Sequence, residues 1–404
     1  MEEHLEELAR LVDTAGATIV GSIQQRLDSP HPRFYIGEGK VKQLQSMLGD
    51  RDADLVVFDE ELSPAQAKNL EDFLGARVID RTELILGIFA RRARTAEAQM
   101  QVELAQLQYA LPRLKRMWTH LSRTRGGVNM RGPGETQLET DRRLIGKRIR
   151  DLKQKLEVVA RRRATQRKGR TDEFRVALVG YTNAGKSSLL RSLAGVELFV
   201  EDRLFATLDP ATRSVELEGG GRALVTDTVG FIRKLPHDLV ASFRATLEEA
   251  READLLLHVI DGAHSGWEEH KQVVEEVLDE MELGDRSTIL VFNKADRLTH
   301  DEERALRERA RAVYDTEPVL ASSVEPGGLD ELRARLHEEL SAQRPEVHVR
   351  IPASDGEALA SLYREGEVLS REQYDTVIDV RARLPRPALG RLRQRPGVEV
   401  VGAA

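Results

Sequence analysis

Residues 174–195 read FRVALVGYTNAGKSSLLRSLAG, and the fold turns on this stretch. Phe174 to Val179 is apolar except for Arg175, the pattern of a strand buried in a parallel sheet. It runs directly into Gly180-Tyr181-Thr182-Asn183-Ala184-Gly185-Lys186-Ser187, and from Ser188 onward the composition is helical. G-x-x-x-x-G-K-S between a strand and a helix is a phosphate-binding loop, because its glycines let backbone N–H groups close around phosphate oxygens at a helix N-terminus. In such a loop the Lys186 ammonium neutralises the outer phosphates and the Ser187 hydroxyl ligates Mg2+. All nine residues from Gly180 to Ser188 are therefore expected at a nucleotide.

Three segments downstream extend the site. ALVTDTVG at 223–230 is a second strand ending in an acid and then a glycine. Asp227 is expected to hold Mg2+ through its shell and the Gly230 N–H to sense the γ-phosphate. Thr207, in FATLD at 205–209, lies 21 residues after Lys186 and 20 before Asp227. That is where a first switch supplies a second hydroxyl to Mg2+, with Phe205 beside the nucleotide. The expected metal set is thus Ser187, Thr207 and Asp227.

ILVFNKAD at 289–296 ends a third apolar strand in N-K-x-D. The Asp296 carboxylate accepts two hydrogen bonds from guanine, whereas adenine presents an acceptor there, so GTP and GDP are the expected ligands. Lys294 is expected to lay its stem against the base and Asn293 to tie the loop together. After PVLA at 318–321, Ser322 and Ser323 stand where a Ser-Ala pair usually brings a backbone N–H to the guanine oxygen.

Lys186, Thr207, Gly230 and Asn183 are the expected catalytic set. Ras-like enzymes place a water-orienting glutamine after the D-x-x-G glycine, but Phe231 stands here. Slow intrinsic hydrolysis follows, assisted by a partner or by K+ near Asn183, which matches a position used by potassium-stimulated GTPases.

The 404 residues are too many for one core, and 40% hydrophobic with 32% charged residues is ordinary for a globular chain. There is no cysteine, which excludes disulfides, thiolate metal sites and cysteine nucleophiles and fits a cytoplasmic protein. MEEHLEELAR lacks the features of a signal peptide, and no apolar run is long enough for a transmembrane segment.

The formal charge of −7 conceals an asymmetry: residues 111–170 hold 19 Lys+Arg against 5 Asp+Glu, a local net of +14. So basic a block in an acidic chain points to a polyanionic partner. It coincides with helical spacing, Leu104, Leu107, Leu111 and Leu114 before a gap and Ile145, Ile149, Leu152, Leu156 and Val159 after it. An antiparallel helical hairpin is expected, with Pro112 kinking or ending its first helix. The gap, RTRGGVNMRGPGE at 123–135, carries four glycines and three arginines, the composition of a basic probe, with Arg123, Arg125 and Arg131 expected to meet RNA.

Residues 17–92 alternate β-like runs (Ala17–Ile23, Leu55–Asp59, Arg77–Asp80) with helical ones (Gly39–Leu48, Pro64–Leu74). The expected class is α/β: a small α/β subdomain (1–92), the helical hairpin and its basic linker (93–170), a doubly wound, mostly parallel P-loop GTPase domain (171–343) and a small α+β domain (344–404) of pattern βαββαβ.

Four stretches carry a more specific resemblance: YIGEGKV at 35–41, IDRTELILGIFARRARTAEAQMQVELAQLQYALPRL at 79–114, RGPGETQLETDRR at 131–143 and LFATLDPATR at 204–213. Together they resemble the HflX family of ribosome-associated GTPases, over residues 17–342. The resemblance implies binding to the large ribosomal subunit, the 123–135 loop reaching the peptidyl transferase centre, and splitting or rescue of stalled ribosomes. Some members of that family also bind ATP through the N-terminal domain, for which the turn Gly37-Glu38-Gly39-Lys40 is the local hint. Three rivals remain open: an RNA-binding GTPase of tRNA modification or rRNA assembly, whose familiar version carries a C-terminal cysteine absent here, a membrane signalling GTPase, for which Glu2 closes the myristoylation route, and a nucleic-acid-dependent ATPase.

Overall fold

The computed structural model describes residues 2–122, 133–167, 173–195, 204–217, 221–235, 244–314 and 317–403, so Arg123, Arg125 and Arg131 lie outside the described residues. The chain divides into two compact units. One comprises Met1–Arg163, Asp202–Asp209 and Lys234–Ala245; the other comprises Ala164–Glu201, Pro210–Arg233 and Thr246–Ala404.

The first unit contains α1 (Glu2–Thr14), α2 (Glu38–Asp50), β1 (Leu55–Phe58), α3 (Pro64–Leu74), β2 (Arg77–Asp80), α4 (Arg81–Arg92), α5 (Ala96–Ser122) and α6 (Pro133–Arg167). β1 and β2 form a two-stranded parallel sheet with Leu55 opposite Arg77. Their apolar residues pack with Val41, Leu62 and Leu70. α3 starts where the sequence directs it. Ser63 accepts from the Gln66 N–H at 3.2 Å, Gln66 accepts from the Ser63 N–H at 3.0 Å, and Pro64 needs no partner for an N–H it lacks. Buried Asp80 similarly caps α4, accepting from Glu83 N–H at 2.9 Å.

One expectation fails in this unit, and another loses one of its two alternatives. Ala17–Ile23 is not a strand: the segment is irregular, Ile19 and Val20 are 46% and 45% exposed, and the Val20 carbonyl accepts from the Arg51 guanidinium. β-branched composition without a neighbouring strand supplies no ladder. Pro112 does not end its helix either, for α5 continues through it to Ser122. At this turn Arg113 donates back to the Tyr109 carbonyl at 3.2 Å and stacks 3.6 Å above the Tyr109 ring. The turn Gly37–Lys40 opens α2, and the Gly37 N–H is engaged by the Gln25 side chain at 2.9 Å.

The second unit holds β3 (Phe174–Gly180), α7 (Lys186–Ala194), β4 (Ala211–Leu217), β5 (Gly221–Asp227) and, from Thr246 onward, α8 (Arg244–Arg251). It continues with β6 (Leu255–Asp261), α9 (Trp267–Glu280), β7 (Thr288–Asn293), α10 (His300–Tyr314), β8 (Val319–Leu320) and α11 (Asp330–Gln343). The six-stranded sheet runs β4-β5-β3-β6-β7-β8, parallel throughout except for β4. Leu189, Leu190 and Leu193 of α7 and Leu332, Leu336 and Leu340 of α11 fill one face, while Trp267, Leu306 and Ala310 pack with Ile260 and Phe292 in a second core. Helices on both faces explain why β3 and β6 read as continuous apolar runs, and the sheet is doubly wound as expected.

A small α+β subdomain follows, with β9 (Glu346–Pro352), α12 (Gly356–Glu365), β10 (Glu367–Tyr374), β11 (Val377–Arg383), α13 (Arg386–Arg393) and β12 (Glu399–Ala403). Its antiparallel sheet is ordered β10-β11-β9-β12 over a core of Val347, Val349, Ile351 and Val380. The βαββαβ pattern is thus present. Among the described residues, no helix is long and apolar enough to cross a membrane.

Candidate functional site

The carboxyl ends of the parallel strands β3, β5, β6 and β7 carry the candidate residues, the edge at which a doubly wound sheet binds ligands. β3 delivers the phosphate loop onto α7. Gly185, at φ +92°, precedes that helix, and a Cβ there would lie 2.2 Å from Asn293 Nδ2, so only glycine permits the base loop to close against it. Lys186 is buried, and its ammonium donates to the Gly180 and Tyr181 carbonyls at 3.0 and 2.9 Å. Burial lowers its pKa to about 8, although Asp227 opposes the shift.

Ser187 donates to Asp227 Oδ2 at 2.6 Å, bringing the ends of β3 and β5 together. Asp227 is almost wholly buried. A hydroxyl facing a carboxylate is the hard oxygen set that suits Mg2+, so these two residues fit the ion. Gly230 lies against the phosphate loop, where a Cβ would come within 2.8 Å of Thr182 Cα and 3.2 Å of Lys186 Nζ. The following residue pairs with the loop as a short parallel bridge: Thr182 N–H donates to the Phe231 carbonyl at 2.6 Å and Phe231 N–H to the Gly180 carbonyl at 3.1 Å. The Phe231 ring is fully buried. Tyr181 accepts from the Arg233 N–H at 3.0 Å, and its ring stacks 3.8 Å from that of His270.

The base loop is held from three sides. Asn293 donates to the Ala184 carbonyl at 3.0 Å. Lys294, with φ of +64°, donates to the Asn183 carbonyl at 2.9 Å and to Asp261 at 2.7 Å. Asp296 accepts from the Ser322 hydroxyl at 2.7 Å, and Ser322 Oγ in turn accepts from the Val324 and Glu325 N–H groups at 3.3 and 3.2 Å. Ser322 thereby orients the carboxylate expected to read the base. The Ser323 carbonyl instead accepts from Ser192 at 2.7 Å.

The second unit therefore gathers Gly180–Ser188, Asp227, Gly230, Asn293, Lys294, Asp296, Ser322 and Ser323. Phe205 and Thr207 belong to the first unit. The Phe205 ring is buried edge-on against Phe89 with centroids 4.5 Å apart. Asp261 went unread, although LLLHVID ends in an acid just as ALVTD does.

A doubly wound sheet, a lysine-bearing phosphate loop and an N-K-x-D loop closed against it define a P-loop guanine-nucleotide hydrolase. Family models described as "GTP-binding GTPase N-terminal", "GTP-binding GTPase Middle Region" and "50S ribosome-binding GTPase" match residues 2–90, 92–170 and 175–294. The chain is 47% identical over 402 residues to GTPase HflX of Magnetococcus marinus, covering 98% of this chain and 92% of the relative. It is 43% identical over 387 residues to GTPase HflX of Escherichia coli K12, covering 95% and 90%. A GTP-binding protein of Sulfolobus solfataricus, solved with GDP, is 27% identical with a TM-score of 0.46, over 84% of this chain and 96% of that one. The chain belongs to the HflX family of GTPases, and it converts GTP to GDP and phosphate. ATP binding by the N-terminal domain gains no support, since the Gly37–Lys40 turn is an ordinary helix start.

Proposed function

We propose that this GTPase binds the large ribosomal subunit in the cytoplasm and uses GTP to split or rescue stalled ribosomes under stress, hydrolysing slowly until the ribosome stimulates it. The observation that carries the reading is the +14 block at residues 111–170 joined to a GTPase domain in a chain of net charge −7. Folded rRNA is met through phosphate and shape, for which clustered arginine is suited. The match of residues 175–294 to a model described as a 50S ribosome-binding GTPase supports the same partner.

In this reading residues 180–188 hold the phosphates, Asp296 and Lys294 hold guanine, and Ser322 and Ser323 border it. Ser187, Thr207 and, through water, Asp227 hold Mg2+, which offsets charge on the β- and γ-phosphates. Lys186 adds an ammonium beside them and the Gly230 N–H reports the γ-phosphate. Asn183 supports a K+ ion beside the transferred phosphoryl group. Buried Phe231 has no hydrogen-bonding side-chain group to orient water, which fits stimulation from outside the chain or from that cation.

Sedimentation with separated ribosomal subunits tests the partner. The chain should pellet with large subunits with a non-hydrolysable GTP analogue and release with GDP, and turnover should rise at least about tenfold with ribosomes, a threshold well below the roughly thousandfold that a group supplied in trans contributes at the least. Full turnover by the isolated chain would sink the stimulation, and equal rates in K+ and Na+ would remove the cation. Binding to tRNA instead of subunits would favour the tRNA-modification reading, which the same basic block also suits.

A further inference from the structure

Asp261, at the end of β6, lies opposite Asn293 in the β6–β7 register. Its Oδ2 accepts from Lys294 Nζ at 2.7 Å, while its Oδ1 accepts from the Ala263 N–H at 3.2 Å. The neighbouring Gly262 N–H donates to the Asn293 carbonyl at 2.9 Å, so the β6 turn grips the base loop through both backbone and side chain. The Lys294–Asp261 pair is largely buried, with side chains 16% and 19% exposed.

Lys294 needs such a partner for two reasons. Its backbone sits at φ +64°, a left-handed conformation that is strained for a non-glycine residue and persists only where surrounding contacts enforce it. Its side chain is also a flexible stem whose free rotamers would sweep across the base site. Two acceptors on different loops, the Asn183 carbonyl and the Asp261 carboxylate, fix the ammonium and hold the stem extended between them. The carboxylate is the stronger of the two, because an ionised acceptor in a largely buried setting exceeds a neutral carbonyl.

We infer that Asp261 is a positioning residue for guanine-nucleotide binding: it sets the course of Lys294 and so shapes the surface on which the base lies. The inference rests on the reading that Asn293–Asp296 holds guanine. Asp261 touches no part of the nucleotide in this account and acts through Lys294 alone.

Its other contact, to Ala263, offers a purely structural role, and a double-substitution cycle separates the two. Steady-state GTP turnover and GDP titration would be measured for the full chain, Asp261→Asn, Lys294→Met and the double variant, with unfolding curves recorded alongside. Asp261→Asn should lower kcat/KM by about tenfold, mostly through KM, and weaken GDP to match, the size of one charge-assisted contact. In the Lys294→Met background the same change should have less than about a twofold effect, because the residue it positions is gone. An equal penalty in both backgrounds, or a loss confined to kcat, overturns the inference while leaving the base loop's role standing. If the unaltered chain fails to prefer GDP to ADP, the base-loop reading falls and takes this one with it.

Discussion

Burial decides which charge state a single residue of this chain can hold. His258 is an example outside the nucleotide set. It lies in the middle of β6, wholly buried, and burial first, then the neighbouring Lys271 and Lys186 charges, lowers its pKa to about 3. It is therefore neutral in the folded chain at pH values where an unfolded chain protonates it, beginning near pH 6.5. The folded pKa is depressed for a base, so the stability is present above about pH 6.5 and is lost as pH falls from there toward 3. The expected slope from this one group is about 1.4 kcal/mol per pH unit. Urea unfolding of the parent and of a His258→Leu variant between pH 7 and pH 5 checks it: the parent should lose the larger share of its stability. Parallel slopes would mean that His258 is not kept neutral.

Between elements, capping side chains do the joining, and one cap comes from a segment distant in sequence. Asp209 accepts from the Arg94 and Thr95 N–H groups at 3.2 and 3.3 Å and from the Thr95 hydroxyl, while Thr95 Oγ1 accepts from Ala98 N–H at 3.1 Å. An acidic group there satisfies the open donors at the start of α5 and complements its dipole. Asp209→Ala should destabilise the first unit by about 1 kcal/mol, the usual cost of losing an N-terminal cap. Chemical denaturation followed by a probe in α5 measures this, and an unchanged midpoint would refute it. Ser63, Gln66 and Pro64 form a cap legible in sequence because all of it lies within four residues. The Asp209 cap was not legible, since its partners are 114 and 115 residues away.

For the whole molecule, charge and connectivity govern the expectations. Segment Asp202–Asp209, which holds Thr207, and segment Lys234–Ala245 group with the N-terminal unit, although they interrupt the sequence of the GTPase unit. Phe205 against Phe89, Asp209 with Arg94 and Thr95, and Lys234 with Asp59 at 3.0 Å and Glu60 at 2.7 Å are among the contacts these segments make within that unit. At this scale the test of ribosome binding is ionic. Neutralising Arg123, Arg125 and Arg131 together should weaken ribosome-stimulated turnover, leave GTP affinity intact, and reduce the slope of log affinity against log salt by about 2–3, nearly one per phosphate contact. An unchanged slope would remove these arginines from the interface.

From sequence alone came the motif order, the parallel sheet, the βαββαβ subdomain and the choice of guanine as the expected base. Each rests on spacing within a strand, a turn and a helix, and backbone geometry constrains residues that close in sequence. Tertiary structure alone decided that Ala17–Ile23 finds no strand to pair with, that α5 continues through Pro112, that the Phe205 ring turns to Phe89, and that Asp261 grips Lys294. Those outcomes depend on which distant atoms arrive at hydrogen-bonding or packing distance, and no local periodicity records the arrival.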